Sequence, residues 1–465
     1  MNAPTPPVLM PGELRTIAQT LLGMLTTDSA TINITHQVTR VTRIAHNRVQ
    51  RLNNGETLQC SLLTSLGGKG TVSLSINQLD DDTLRSAVQY VERVARETTG
   101  DPAVGPQAMP VPPRQYLPNT SWSESTARAL GVDRQSMVVE IVQPMVDAQL
   151  IGAAFIGASA QSTLNATKQG VLATGEVTDT ELVVTGWNRP SGAGIAGSGW
   201  AGQAVRTWDR LDAAAVSAEA VRITKLAANP VAFEPGRRTV ILGRPAMAQI
   251  VHAMGRDFDA YTTHMGMTPL SIHKLRDRVL DERLTLSSDP NDPEGGYLPF
   301  DDQGHPRIPM TWIDHGRLAN LAYGAMYAAS AGVRSANQWS DSLRLSATSG
   351  TALMTTEEMI ASCKEGIYVN RVADIEVVHA RSGVMTGVTS GGCFLVRNGK
   401  IDKPVKDFRF LDSPYFFLNR LIAVGTSERT AFGYAPWHGE WPIAPTIVPP
   451  VMVRDFNFSA LADNV

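Results

Sequence analysis

Cysteine is scarce in this chain. Its 465 residues include three, Cys60, Cys363 and Cys393. They lie far apart and without CxxC spacing, which excludes a disulfide framework and a cysteine zinc knuckle and leaves reduced thiols as the expectation. An excess of one charge is also missing. With 41 basic against 44 acidic residues and a net charge of −3, neither a disordered polyelectrolyte nor a protein that coats nucleic acid is indicated. No stretch approaches the ~18 uninterrupted apolar residues of a membrane helix. The N-terminus, with Pro4, Pro6, Pro7, Glu13 and Arg15, does not read as a signal peptide, so a cytoplasmic protein with no membrane partner is expected. What is present is a 43% hydrophobic chain, too long for one ordinary core, for which two domains are the natural expectation.

In chain order, residues 14–25 read as an amphipathic helix with Leu14, Ile17, Leu21 and Leu22 on one side. Alternating segments follow at 31–36, 43–52, 56–65 and 70–75. Asn54-Gly55 is expected to form a type I′ hairpin turn and Gly67-Gly68 a second, because such turns need positive φ. Asp80, Asp81 and Asp82 suit the positive end of a helix over 83–96 whose Leu84, Val88, Val91 and Ala95 form one stripe. A proline-rich excursion spans 100–118. Helices at 121–130 and 137–148 and strands at 150–156, 162–167, 170–174 and 180–187 return the chain to the first unit. The glycine-rich run over 192–200 lacks the GKS or GKT ending of a phosphate loop, so close-packed backbone is the better reading. A helix over 212–226, closed by Asn229-Pro230, places the boundary between domains 1–228 and 229–465.

The second domain opens with a buried strand at 238–243 that feeds a helix from 244. Pro245 suits its first turn, and Met247, Ile250, Val251 and Met254 form an apolar stripe. His252 lies off that stripe. A zinc protease helix presents two histidines on one face with a glutamate beside the first, so that metal-bound water is oriented and deprotonated together. Here one histidine stands alone, Asp257 follows it, and the next histidine, His264, lies beyond the expected helix end. Asp301 and Asp302 could bind a cation or act as an acid/base pair, but Asp-rich loops more often satisfy their own amides. Thr355 and Glu358 read as a capping box for a helix ending at Gly366, and Asp314-His315-Gly316 and Asn398-Gly399 as hairpin turns. The fold class is therefore α+β: an N-terminal α/β domain with an antiparallel sheet and a mostly antiparallel β C-terminal domain.

A set of motifs in the second half resembles the TldD/PmbA family, also known as the modulator of DNA gyrase family. They are the Glu234-Pro-Gly turn, Asp289-Pro-Asn-Asp-Pro293, Phe300-Asp-Asp-Gln-Gly304, Gly366-Ile-Tyr-Val369 and Arg397-Asn-Gly-Lys-Ile401. Arg51-Leu-Asn-Asn54 and Leu79-Asp-Asp-Asp-Thr-Leu84 extend the resemblance into the first half. The family holds two kinds of subunit. TldD-type chains carry an HExxxH helix and a distant cysteine that together hold zinc; PmbA- or TldE-type chains lack the motif and pair with them.

Aligned through Gly255, the first histidine of the motif falls at Val251, the glutamate at His252 and the second histidine at Arg256. Aligned on His252, Ala253 stands for the glutamate and Asp257 for the second histidine. Neither leaves a general-base glutamate. The region of the cysteine ligand holds Trp437, His438, Glu440 and Trp441 instead, with the tryptophans suited to an interface. The resemblance is thus closer to the metal-free subunit. It implies a non-catalytic partner of a TldD-type zinc protease, with no cofactor or metal site of its own and zinc in the partner, acting together on unfolded peptides or peptide precursors and not on nucleic acid. The alternative is a peptide- or natural-product-modifying hydrolase whose remodelled site would draw on His252, Asp257 and His438.

Overall fold

Two long antiparallel pairs set the first half of the molecule in this computed structural model, which describes residues 7–66, 69–97, 115–131, 134–188, 197–333, 342–432 and 446–462. Helix α1 (Pro11–Met24) precedes β1 (Ser29–Ala45), which turns through His46 and Asn47, at φ 50° and 60°, into β2 (Arg48–Leu66). The turn expected at Asn54-Gly55 does not form there; both residues lie inside β2, opposite Arg40 and Thr39. Asn47 wins because tertiary contacts hold it: its Nδ2 donates to Leu150 O at 2.8 Å and its Oδ1 accepts from Gly152 N at 2.6 Å. Gly55 instead serves a crowded strand, since a Cβ there would lie 2.5 Å from Thr39 Oγ1. Gly67-Gly68 and most of the proline-rich excursion lie outside the described residues, but Leu66 pairs with Lys69, so β2 and β3 (Lys69–Ile76) are antiparallel neighbours.

Helix α2 (Asp81–Glu97) begins where Asp80 accepts from Thr83 N at 3.0 Å, and its Leu84, Val88 and Val91 share a core with Leu14, Leu21, Ile32 and Leu62. Helices α3 (Glu124–Ala129) and α4 (Gln135–Asp147) lead into β4 (Ile151–Thr167) and β5 (Leu172–Trp187). Each of these is one continuous strand where two were expected. Ala158, Ser159 and Ala160 in β4, and Val177 to Thr180 in β5, are all buried, so the small and polar residues there mark covered faces and not turns. Strand β6 (Ser198–Val205) completes the antiparallel sheet β3-β2-β1-β4-β5-β6, and α5 (Ala213–Leu226), capped by Asp212 on Ala215 N, lies against it. A Cβ on Gly199 would sit 2.3 Å from Thr224 N of α5, so the described end of the glycine-rich run is close-packed backbone.

The second half folds as two further sheets around one large apolar cluster. The first sheet contains β8 (Leu284–Ser288), β9 (Met310–Asp314), β10 (Arg317–Leu318), β11 (Leu343–Ala347), β17 (Glu428–Thr430) and β18 (Thr446–Val448), in the order β10-β9-β8-β11-β18-β17. The other contains β7 (Gly236–Leu242), β12 (Glu365–His379), β13 (Val384–Arg397), β14 (Lys400–Pro404), β15 (Phe408–Asp412), β16 (Leu421–Val424) and β19 (Val451–Leu461). Its path runs β12-β7-β19-β15-β13-β14, and β12 pairs back onto β13. Apart from β7 with β12 and β11 with β18, the named strands pair antiparallel, so the α+β architecture stands. Short helices α7 (Ala260–His264), α8 (Ala325–Ser330), α9 (Thr356–Ser362) and α10 (Pro414–Phe417) punctuate the sheets, and α6 (Arg244–Met254) runs through the cluster.

Local turn chemistry behaves as its residues demand. His315 and Gly316 turn at φ 46° and 72°, and Asn398 and Gly399 at 49° and 76°. Thr355 and Glu358 form the reciprocal capping box of α9. That helix ends earlier than expected: Gly366 lies in β12, where a Cβ would meet Thr239 O at 2.8 Å.

Candidate functional site

Helix α6 is built to be enclosed. Gly243 enters it with φ −63° and ψ 162°, and Pro245 sits in the first turn, where a missing N–H is no loss. Ala246, Met247, Ala248, Gln249, Ile250, Val251 and Met254 are all buried, each large apolar side chain among them contributing ~1.5–3 kcal/mol by its removal from water. His252 is exposed, its ring meeting Phe432 edge to face with centroids 5.0 Å apart. Gln249 donates Nε2 to Phe432 O at 2.9 Å, so the segment after β17 is fastened to the helix beside His252.

Asp257 follows in a 3-10 turn (Gly255–Phe258) and is buried. The Tyr415 hydroxyl of α10 donates to its Oδ2 at 3.0 Å. Burial pushes the Asp257 carboxyl up to about 7, against the Tyr415 hydrogen bond and the nearby Arg256 charge, both of which favour the ionised form. Tyr415 is itself held well above the ordinary tyrosine range by burial and by the facing carboxyl. His252 packs on Phe432 while Asp257 packs on Tyr415, so these contacts do not join the two residues into one catalytic unit. His438, together with Trp437, Glu440 and Trp441, lies outside the described residues.

The donor chemistry on α6 does not fit a zinc site. Val251, the first histidine position in the alignment through Gly255, is a fully buried apolar side chain, and Arg256, the second, is an exposed cation. Among the described residues, no three His, Cys, Asp or Glu side chains cluster so as to hold a metal. The three cysteines are unpaired and buried, and burial pushes the Cys60 thiol up to about 12, far from a thiolate ligand.

The Asp301 loop is likewise accounted for by its own backbone. Asp301 Oδ1 accepts from Gln303 N at 2.8 Å and His305 N at 2.9 Å, and Oδ2 faces His305 Nδ1 at 3.3 Å, while Asp302 is exposed. The loop docks on the end of the β4–β5 pair. Asn165 Nδ2 donates to Asp302 O at 2.8 Å, Tyr116 donates to Gly304 O at 2.7 Å, and Phe300 packs with Val171 and Ala173.

Sequence reasoning missed the polar joint between the N-terminal sheet and the β17 segment. Asp179 of β5 forms a buried ion pair with Arg429 of β17, their side chains 8% and 3% exposed. Arg429 Nη1 also donates to Glu294 O at 2.8 Å. Burial raises the Asp179 carboxyl, and the Arg429 and Arg206 charges oppose that rise. Arg206 is pushed down to about 10, by burial first and by neighbouring Arg429 second, and donates to Ser121 O and Thr178 O at 2.8 and 3.0 Å. Two residues along β5, Glu181 accepts from Phe432 N at 3.3 Å. The N-terminal sheet thus holds the Phe432 segment that flanks His252. Asn370 adds a second tie, its Nδ2 donating to Trp200 O and Gly391 O, each at 2.8 Å. An acidic residue in an alternating strand gives no signal of a partner 250 positions away.

Comparison with known proteins bears on this geometry. Residues 235–460 match the family model described as the PmbA/TldA metallopeptidase C-terminal domain. A protein of Archaeoglobus fulgidus named a metalloprotease is 25% identical over 249 residues, covering 51% of this chain. The match takes in 56% of that relative, little more than half its length. Among solved structures, a Thermotoga maritima protein described as a candidate modulator of a DNA gyrase superposes with a TM-score of 0.79 at 14% identity, over 96% of this chain and 99% of its own. TldE from Thermococcus kodakarensis superposes with a TM-score of 0.79 at 16% identity, with the same coverage of both chains. At these identities the structural likeness establishes the fold.

Proposed function

Because the chain belongs to the TldD/PmbA family through residues 235–460, we propose that it serves as the metal-free partner subunit of a TldD-type zinc protease acting on unfolded peptides or peptide precursors. The observation that supports this most is the make-up of α6. The helix that carries the zinc motif in zinc-binding subunits here carries buried Val251 and surface His252, and surface Arg256 stands in the 3-10 turn that follows. A chain that keeps the whole architecture without this machinery is most simply retained for its surfaces. Its share of the work would be to wall the substrate space and to offer strand edges, such as those of β3 and β14, on which an extended peptide can add as another strand. The fold shared with TldE supports the same reading.

Co-expression with a TldD-type chain carrying an intact HExxxH helix tests the proposal. A stable heteromer is expected, with peptide cleavage that disappears when the partner's glutamate is replaced. The His252→Ala change in this chain should leave turnover within about twofold, because an exposed residue outside the chemistry contributes little to transition-state stabilisation. Separate homomers at micromolar concentration, or a loss of ~100-fold or more in an assembled complex bearing His252→Ala, would contradict the reading.

A further inference from the structure

We propose that the N-terminal half carries a binding pocket for a carboxylate attached to an apolar group, with Arg134 as its anchor. The pocket is a cleft of about 540 Å³ between the β1–β2 hairpin and the start of α4, within the range of roughly 300–1,000 Å³ typical of small-molecule sites. Val49, Leu52, Leu130 and Val138 supply apolar walls, and Arg40 and Arg134 supply positive charge. Val49 and Leu52 are 45% and 68% exposed, so the aliphatic wall of the cleft is open to a ligand.

Arg134 is the observation that carries the proposal. It is 8% exposed. Its Nη1 donates weakly to Ile156 O at 3.4 Å, and its guanidinium lies 5.3 Å from the centre of the Trp208 ring. Among the described residues, Nε and Nη2 have no hydrogen-bond partner and Arg134 forms no ion pair. Burial, with the like charge of Arg40 second, pushes the guanidinium down to about 10, which leaves it charged at neutral pH. Buried polar groups normally find partners, and an uncompensated buried charge is among the costlier features a fold can keep. The two idle groups, Nε and Nη2, form one edge of the guanidinium, the planar fork that can donate to both oxygens of a carboxylate.

The surroundings add to that preference. Arg134 is the N-cap residue of α4, and among the described residues no side chain caps this helix start and its first turn holds no acidic residue. The positive end of a 13-residue helix therefore opens on the same corner. Aliphatic Val49, Leu52, Leu130 and Val138 stand beside the two cations, with Thr42, Asn54 and Gln135 as further polar lining, so an acid that carries an aliphatic group can use both kinds of wall. The free C-terminus of a peptide ending in an aliphatic residue and a free fatty acid both present this chemistry. The pocket stands apart from α6, and its existence does not depend on the partner-subunit reading.

Calorimetric titration of the full chain with N-acetyl-leucine, N-acetyl-leucinamide and octanoate tests the proposal. At least one of the two acids should bind ~10-fold or more tightly than the neutral amide, which keeps the side chain but lacks the charge. A preference for N-acetyl-leucine identifies a peptide C-terminus as the source, and a preference for octanoate a fatty acid. Arg134→Met should abolish the advantage of the acid. Leu52→Glu, on an exposed wall where folding is little affected, should weaken acid binding at least tenfold by repulsion. Equal affinity of wild type for both acids and the amide, or acid binding that survives both substitutions, would overturn the proposal.

Discussion

Replacing Arg429 with Met is expected to destabilise the folded chain by about 3–5 kcal/mol, the magnitude found when one partner of a buried ion pair is removed. Asp179 and Arg429 are 8% and 3% exposed, so water cannot take over the solvation that each now receives from the other. Arg206 alone would face the stranded carboxylate, and it is already committed to Ser121 O and Thr178 O. Burial already favours the neutral form of Asp179, and the Arg429 charge is the larger of the two that resist it. Without that charge the carboxyl should protonate in the folded state, so the loss should grow as pH rises above the ordinary aspartate range. Denaturant unfolding of the two single variants and of the double variant Asp179→Leu with Arg429→Met measures the coupling. The double variant should recover most of the loss, because apolar replacement of a whole buried pair is close to neutral. Additive losses, or a single-variant effect under 1 kcal/mol, would show that the pair does not hold the joint.

The second large effect concerns Asp257, whose carboxyl burial pushes up from 3.8 to about 7. A folded state that holds a proton more tightly than the unfolded chain gains stability as pH falls through the range in which the unfolded group is ionised and the folded one is not. That contribution is fully present below about pH 4 and is lost as pH rises through about 7. Wild type should therefore lose up to roughly 4 kcal/mol between those limits relative to Asp257→Asn, at ~1.4 kcal/mol per tenfold difference in proton affinity. The asparagine keeps an oxygen to accept the Tyr415 hydroxyl and cannot ionise. Unfolding curves of both proteins at steps from pH 4 to pH 8 should diverge in wild type's disfavour, then run parallel above the upper limit. Curves that stay parallel throughout would mean that Asp257 ionises freely in the folded chain.

The features legible in the sequence are those fixed within a few residues. The stripe of Leu84, Val88 and Val91, the helix over 212–226, the Thr355–Glu358 box and the Asn398-Gly399 turn each need only local spacing, and all occur in the structure. The burial of α6 with His252 outside its apolar stripe was legible for the same reason. What was not legible depends on distant partners. The β1–β2 turn sits at His46-Asn47 because Leu150 and Gly152 grip Asn47, and Asn54-Gly55, a stronger local turn signal, is overruled. Strands β4 and β5 run unbroken because other elements cover the faces of their small residues. Asp257 was weighed by its distance from His252 along the helix, yet its environment is set by Tyr415, 158 residues away. The idle edge of Arg134 has no sequence signature at all.

The most direct measurement of the central claim is the zinc content of this chain purified alone, compared with that of its complex with a TldD-type subunit, each assayed for peptide cleavage. The donor set around α6 predicts that the isolated chain, after dialysis against a weak chelator, carries far less than one zinc per molecule and cleaves no peptide, while the complex carries one zinc per TldD-type subunit and is active. One tightly held zinc per isolated chain, accompanied by peptide cleavage that His252→Ala abolishes in a protein still fully folded, would contradict it.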